Sequence, residues 1–339
     1  MSGSSTAIKP PPAWSATFSR AESTLVIATY SAQAMDAADL EPFLSWVEEA
    51  IERDSGPDVS ERARFTDAAG YVNEVRVAYW RDPQSFADWA ASGIVSDWWE
   101  HPDRTSGPAG IWREVVAVPS NRFETIFSSP AITIGSRRIA DDIEGPIEAH
   151  GYWGSMRDRL PVSRHDALLS AFGEELLPPE GSRGTGRRII VGAPANLTLI
   201  RSGQDTAQCP SDELAEYQDV IRPVLEKGMN FLRDNPEQTG CCSCRFMEEV
   251  EDSGETSARS FGFAWFLTLG HLERWAKSHP THLAIYNRFS AFAKKRGPSL
   301  KLSLWHEVSV VPDGASTFEY VNCHDRTGLL GLFDENRPD

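Results

Sequence analysis

From residue 300 to 310 apolar and polar positions alternate: Leu300, Leu302, Leu304, His306, Val308 and Val310 on one side, Lys301, Ser303, Trp305, Glu307 and Ser309 on the other. A period of two predicts a strand whose leucine- and valine-bearing face, His306 included, points inward. The same reading along the chain predicts a strand at 24–30, a helix at 40–53, and one or two strands between 62 and 80. A helical stretch carrying Phe86, Trp89 and Trp98 follows, then a closing strand at 111–118. A second series runs as a strand at 196–202, a long helix at 212–233, strands near 244–250 and 257–267, helices across 270–295, and the strand at 300–310. Both series have the order β-α-β-β-α-β of a ferredoxin-like unit.

The two series are copies of one another. Ala78, Tyr79, Phe86, Trp89, Ala90 and Ser92 recur as Ala264, Trp265, Leu272, Trp275, Ala276 and Ser278 at a constant offset of 186. Trp112-Arg113-Glu114-Val115, Pro119 and Phe123-Glu124 recur as Trp305-His306-Glu307-Val308, Pro312 and Phe318-Glu319, at offsets of 193 to 195. A duplicated scaffold carries its own control, because a residue that differs between copies is not demanded by packing alone. His282 stands opposite Ser96, and His306 opposite Arg113. The expected fold is α+β, two such modules at 21–127 and 193–327 joining through their sheets into one α/β-barrel-type body. An N-terminal extension (1–20), a linker (128–192) and a C-terminal tail (328–339) complete the division. Within the linker 181–188 reads as an exposed loop, whereas 151–159, GYWGSMRDR, is too rich in aromatic and basic residues for a spacer.

Composition narrows the function. The 339 residues hold 33 basic against 49 acidic side chains, a formal charge of -16, which opposes binding to nucleic acid or anionic lipid. The Ser- and Pro-rich start lacks the apolar core of a signal peptide, and no long apolar run occurs, so a soluble cytoplasmic protein is expected. Five cysteines, an odd number, suit reduced thiols. Cys241, Cys242 and Cys244 lack a second ligand pair at zinc spacing, so no metal is expected there.

Four places offer chemistry. In Ser278-His279-Pro280-Thr281-His282 a polar cap precedes proline, so a helix starts at about Pro280 with His282 in its first turn. His282, Ile285, Tyr286, Phe289, Phe292 and Ala293 recur at intervals of three and four, which puts the histidine on the apolar face. The helix dipole keeps that imidazole neutral, the state in which it serves as a proximal ligand to haem iron. A buried histidine bonded to a backbone carbonyl is the competing reading, and His279 rivals His282 for either role. His306, buried and titrating near neutrality, suits general acid and base work, against the alternative of a satisfied core histidine that Arg113 in the other copy weakens. In 200–205, IRSGQD, a strand closes on Ser202 followed by glycine, which allows a ligand close to the backbone, although such a pair is commonly a plain turn. Arg159 shares a strand face with Arg157, and either guanidinium suits charge stabilisation.

Taken together, 150–159, 199–205, 231–235, 272–283 and 306–310 (HEVSV) resemble the haem-dependent aldoxime dehydratases, in one order over most of the chain. The resemblance implies a homodimeric α/β barrel of two ferredoxin-like units, with haem b in a pocket of the C-terminal module. Motif by motif it implies His282 as the proximal haem ligand, which selects it over His279. Ser202 becomes the distal hydrogen-bond donor to the aldoxime hydroxyl, Arg159 a distal-pocket residue, His306 the catalytic acid/base, and Phe289 a haem-pocket wall. Thr206 departs from the family, whose bacterial members have tryptophan there, and so does the doubled cysteine at Cys242. The implied reaction is R-CH=N-OH to R-C≡N and water, with the oxime nitrogen on ferrous haem and a small-molecule aldoxime as the only partner besides a second copy of the chain. A peroxidase-like or haem-degrading enzyme of related fold and a non-catalytic haem sensor are the alternatives.

Overall fold

The computed structural model describes residues 12–18, 23–150, 155–170, 173, 176 and 184–333. In chain order the first half comprises β1 (Ser15–Thr17), β2 (Thr24–Ala34), α1 (Glu41–Ile51), β3 (Val59–Thr66), β4 (Val72–Trp80), α2 (Pro83–Ala91), α3 (Gly93–Glu100), β5 (Gly110–Pro119) and β6 (Phe123–Phe127). Next come β7 (Asp142–Glu144), α4 (Met156–Arg159) and β8 (Arg188–Val191). The second half holds β9 (Thr198–Asp205), α5 (Ser211–Glu216), α6 (Arg222–Asp234), α7 (Pro236–Thr239), β10 (Cys241–Val250), β11 (Thr256–Phe266), α8 (Leu269–Ser278), α9 (Pro280–Arg296), β12 (Ser303–Val310) and β13 (Ser316–Val321).

Eleven strands form one sheet in the order β6-β12-β9-β11-β10-β3-β4-β2-β5-β13-β8, every pairing antiparallel. Each half has the same internal order, its fourth strand beside its first, then third, then second: β5-β2-β4-β3 and β12-β9-β11-β10. The halves meet where β10 pairs with β3, Glu249 opposite Ala63. They meet again at the other side. β5 runs on into β6 and β12 into β13, and the pairings Val116↔Ser316 and Phe123↔Ser309 keep a single register, so the two ends of the sheet are one ladder. The sheet therefore closes into a ring.

Closure explains where both faces of each strand go. The inside is filled by one apolar cluster that includes Tyr79, Trp112, Phe261, Trp265, Trp305 and Tyr320. The outside of the first half is covered by α1, α2 and α3, with α1 burying Phe43, Trp46, Val47 and Ala50, the i, i+3, i+4, i+7 stripe of an amphipathic helix. The outside of the second half is covered by α6, α8 and α9. Charged residues stay inside only where paired: Arg245 with Glu114 at 2.8 Å, and Arg201 with Glu61 at 2.5 Å.

Several expectations are corrected. His306 does not point into the ring; Trp305 and Glu307 do, and the histidine face looks out under the helices. The alternation is right, but a closed sheet buries both faces, so the polar side is not the wet one. The strand starts at Ser303 rather than 300 because the amides of Lys301 and Leu302 both donate to Glu213 Oε1 (2.9 and 2.7 Å) instead of to a neighbouring strand. The helix expected at 212–233 is present with a π-turn at Tyr217–Ile221, where Arg222 N–H bonds Tyr217 O. Arg159 and Arg157 share no strand face: they lie in α4, where residues two apart diverge, and Arg157 goes to Glu273. Ser202 does not end a strand, since β9 runs on to Asp205. The loop expected at 181–188 ends in β8, which pairs with β13; residues 181–183, like 151–154 of the aromatic motif, lie outside the described residues.

Candidate functional site

Across the outer face of the second half, His306 on β12 is in register with Ser202 on β9, and Ser202 with Gly262 on β11. Above this row α6 and α9 leave an open cleft of about 150 Å³. Its walls bring together Ser202, His306, His282 and Phe289, with Met156 at the start of α4. Gly262 keeps the floor low, because a Cβ there would come within 2.9 Å of Met229 Sδ.

His282 reaches the cleft from the first turn of α9, whose N-cap is His279 and whose N1 position is Pro280. Its ring stands edge-on to Trp275, centroids 4.5 Å apart, and a ring N–H donates to the Ala276 carbonyl. Burial drives its pKa down to about 4, against the pull of that carbonyl. The result is a neutral imidazole with its orientation fixed by that bond, which is how proteins present histidine to a metal. His279 is spent as the cap and packs on Phe231.

His306 is buried beside two groups of opposite demand. Its Nε2 lies 3.0 Å from Glu124 Oε1 and 3.1 Å from Arg159 Nη2. Arg159 in turn grips Glu124 through Nε (2.6 Å) and Nη2 (3.2 Å) and the Ala149 carbonyl through Nη1 (2.9 Å). Burial lowers the His306 pKa, the Glu124 carboxylate pulls it back up, and Arg159 lowers it again. Burial would raise Glu124, but Arg159 and His306 outweigh it and hold the carboxyl below its ordinary value. Either protonation state of His306 therefore has a partner: Nε2–H donates to Glu124, and a bare Nε2 accepts from Arg159. Ser202 Oγ has no hydrogen-bond partner among the described residues.

Glu124 escaped the sequence reading as a site residue. The repeat matches Glu124 to Glu319 and His306 to Arg113, but the pairing becomes visible only in the structure, where Arg113 donates to Glu319 at 2.6 Å. The Ser202 position corresponds there to Tyr30, whose ring packs on Trp46, Trp89 and Trp99. One half is plugged with aromatic rings; the other is hollow.

The remaining candidates lie elsewhere. Cys241, Cys242 and Cys244 are buried free thiols, and no group of metal-binding side chains occurs among the described residues. Thr206 lies beyond β9, bonding the Ala258 carbonyl at 2.8 Å. A larger cavity of about 570 Å³, between β10, the β3–β4 turn and residues 324–332, contains none of the four candidate residues.

The profile of the haem-containing dehydratases matches residues 28–329. The chain belongs to this family. Among relatives of this dehydratase, a phenylacetaldoxime dehydratase of a Bacillus species is 37% identical over 327 residues, 95% of this chain and 92% of its own. An aliphatic aldoxime dehydratase of Rhodococcus globerulus is 42% identical over 81% of this chain and 76% of its own. The crystal structure of aldoxime dehydratase OxdRE in complex with butyraldoxime superposes with a TM-score of 0.87 at 36% identity, covering 96% of this chain and 90% of that one. The cofactor is haem, and the cleft suits it: a neutral histidine on one wall, hydroxyl and imidazole on the other, and hydrocarbon between. No helix among the described residues is long and apolar enough to cross a membrane.

Proposed function

We propose that this dehydratase converts aldoximes, R-CH=N-OH, to nitriles and water in the cleft between β9, β12 and α9. The observation that carries this reading is the nitrogen of His306 held between a carboxylate and a guanidinium, on the row that presents the Ser202 hydroxyl. His282 would hold haem b, with Phe289 lining the same pocket. Bound there, ferrous haem would supply a Lewis-acidic, electron-rich iron for the oxime nitrogen.

The protein's part is position and protons. Ser202 Oγ donates to the oxime oxygen, and the Arg159 charge steadies the oxygen as it gains negative character. Hydroxide is a poor leaving group, so His306 Nε2 delivers its proton and the oxygen departs as water. The bare nitrogen then accepts from Arg159 until it takes up the carbon-bound proton, which completes the triple bond and restores the imidazolium. Glu124 is a positioning residue: it touches no substrate atom, fixes both Arg159 and His306, and keeps the imidazolium form accessible. We read each four-strand half as a ferredoxin-like module and two copies of the chain as the working homodimer, which sedimentation of the purified protein tests.

The deciding experiment is spectroscopic and chemical together. The purified protein should show a Soret band that shifts when butyraldoxime is added after dithionite, and should release butyronitrile without oxygen or peroxide. Turnover that requires peroxide would transfer the site to the peroxidase-like alternative.

A further inference from the structure

The cleft is chemically unequal along the strands. Beyond Ile200 and Ala264 it ends in Phe266, Leu272 and Trp275, all hydrocarbon but for one indole nitrogen, which bonds Thr281. The other end carries donors. Gln204, two residues on from Ser202 and on the same face of β9, lines the cleft while its Oε1 accepts from Ser260 Oγ (3.2 Å), and its amide N–H groups donate to no described residue. Tyr217, nearly fully buried, also lines the cleft; its hydroxyl forms no hydrogen bond of normal geometry, Ser260 being the polar side chain near it. Burial raises its pKa, so the group is a donor at any physiological pH. It sits on the π-turn, a distortion that costs helix regularity and recurs at functional sites. Leaving a buried hydroxyl unpaired costs about 1–3 kcal/mol, so a partner is expected. The other half lacks the arrangement: Ala32 and Glu74 take the places of Gln204 and Ser260.

Haem is itself unequal, with carboxylates along one edge and hydrocarbon along the other. We propose that Tyr217 and Gln204, the latter oriented by Ser260, form the anchor for the haem carboxylates, so that the opposite edge lies against Phe266, Leu272 and Trp275. Two residues of strand separate Ser202 from Gln204 by roughly 7 Å, comparable to the reach from a porphyrin's centre to its rim carboxylates. The assignment rests on the cleft being the haem site.

The test compares haem with its iron-containing dimethyl ester, in which the carboxylates are masked, binding each to the apoprotein and following the Soret band. Wild type should bind haem at least tenfold more tightly than the ester. Tyr217→Phe and Gln204→Leu should each weaken haem severalfold and leave the ester unaffected, which also shows that the variants are folded. A preference for haem that survives in both variants overturns the anchor, as does a wild type that binds haem and ester alike. Failure of wild type to bind either ligand overturns the haem cleft itself and the anchor with it.

Discussion

At the scale of single residues the proposed mechanism depends on His306 having a partner in each protonation state. Replacing His306 with Ala should leave haem content unchanged and lower kcat by about 10²–10⁴, the usual worth of a positioned acid/base; full turnover would remove it from the mechanism. Glu124→Gln keeps the shape and loses the charge that raises the His306 pKa. The imidazolium should then form only at lower pH, so the basic limb of the kcat profile moves toward acid, whereas loss of packing alone would lower kcat without moving the limb. His282→Ala should abolish the Soret band of the purified protein, because no other imidazole lines the cleft opposite Ser202.

At the scale of elements, β9 and β12 each carry a site residue outward and a core residue inward. Gly203 shows why this coupling is tight. It lies against Trp305 inside the ring, where an added Cβ would fall 2.3 Å from the indole. The sequence suggested that this glycine opens the backbone to a ligand; it does line the cleft, and it also makes room for Trp305. Gly203→Ala should cost about 1–3 kcal/mol in urea unfolding, and should also lower activity, since moving β9 away from Trp305 moves Ser202 relative to His306. The π-turn belongs to this scale too. No periodicity announces it, because the apolar stripe of 212–233 continues through the one-residue slip that aims Tyr217 into the cleft.

At the scale of the whole molecule, the closed sheet turns paired charges into core residues. Glu114 accepts from Arg245, from Trp265 Nε1 (2.7 Å) and from Tyr320 Oη (2.8 Å), tying strands of both halves together. Glu114→Ala should destabilise by about 3–5 kcal/mol, since it strands a buried guanidinium, and thermal unfolding of the variant should remain a single transition because the ring has no independent half to spare. The sequence by itself determined the order of elements and the duplication, because period-two alternation, helix caps and copy-to-copy likeness are local signals; it offered His282 and His306 as candidates on the same grounds, while the choice of His282 over His279 and the roles of Ser202 and Arg159 came from the family resemblance. It did not determine which side of each strand is the inside. Only ring closure decides that, by burying Trp305 and Glu307 and turning His306 outward under the helices. Nor could it reveal Glu124 as the partner of His306, or bring Arg159 beside it from a region that reads as linker: those contacts span 182 and 147 residues. No pattern along a chain encodes a distance between strands that only the closed sheet makes neighbours.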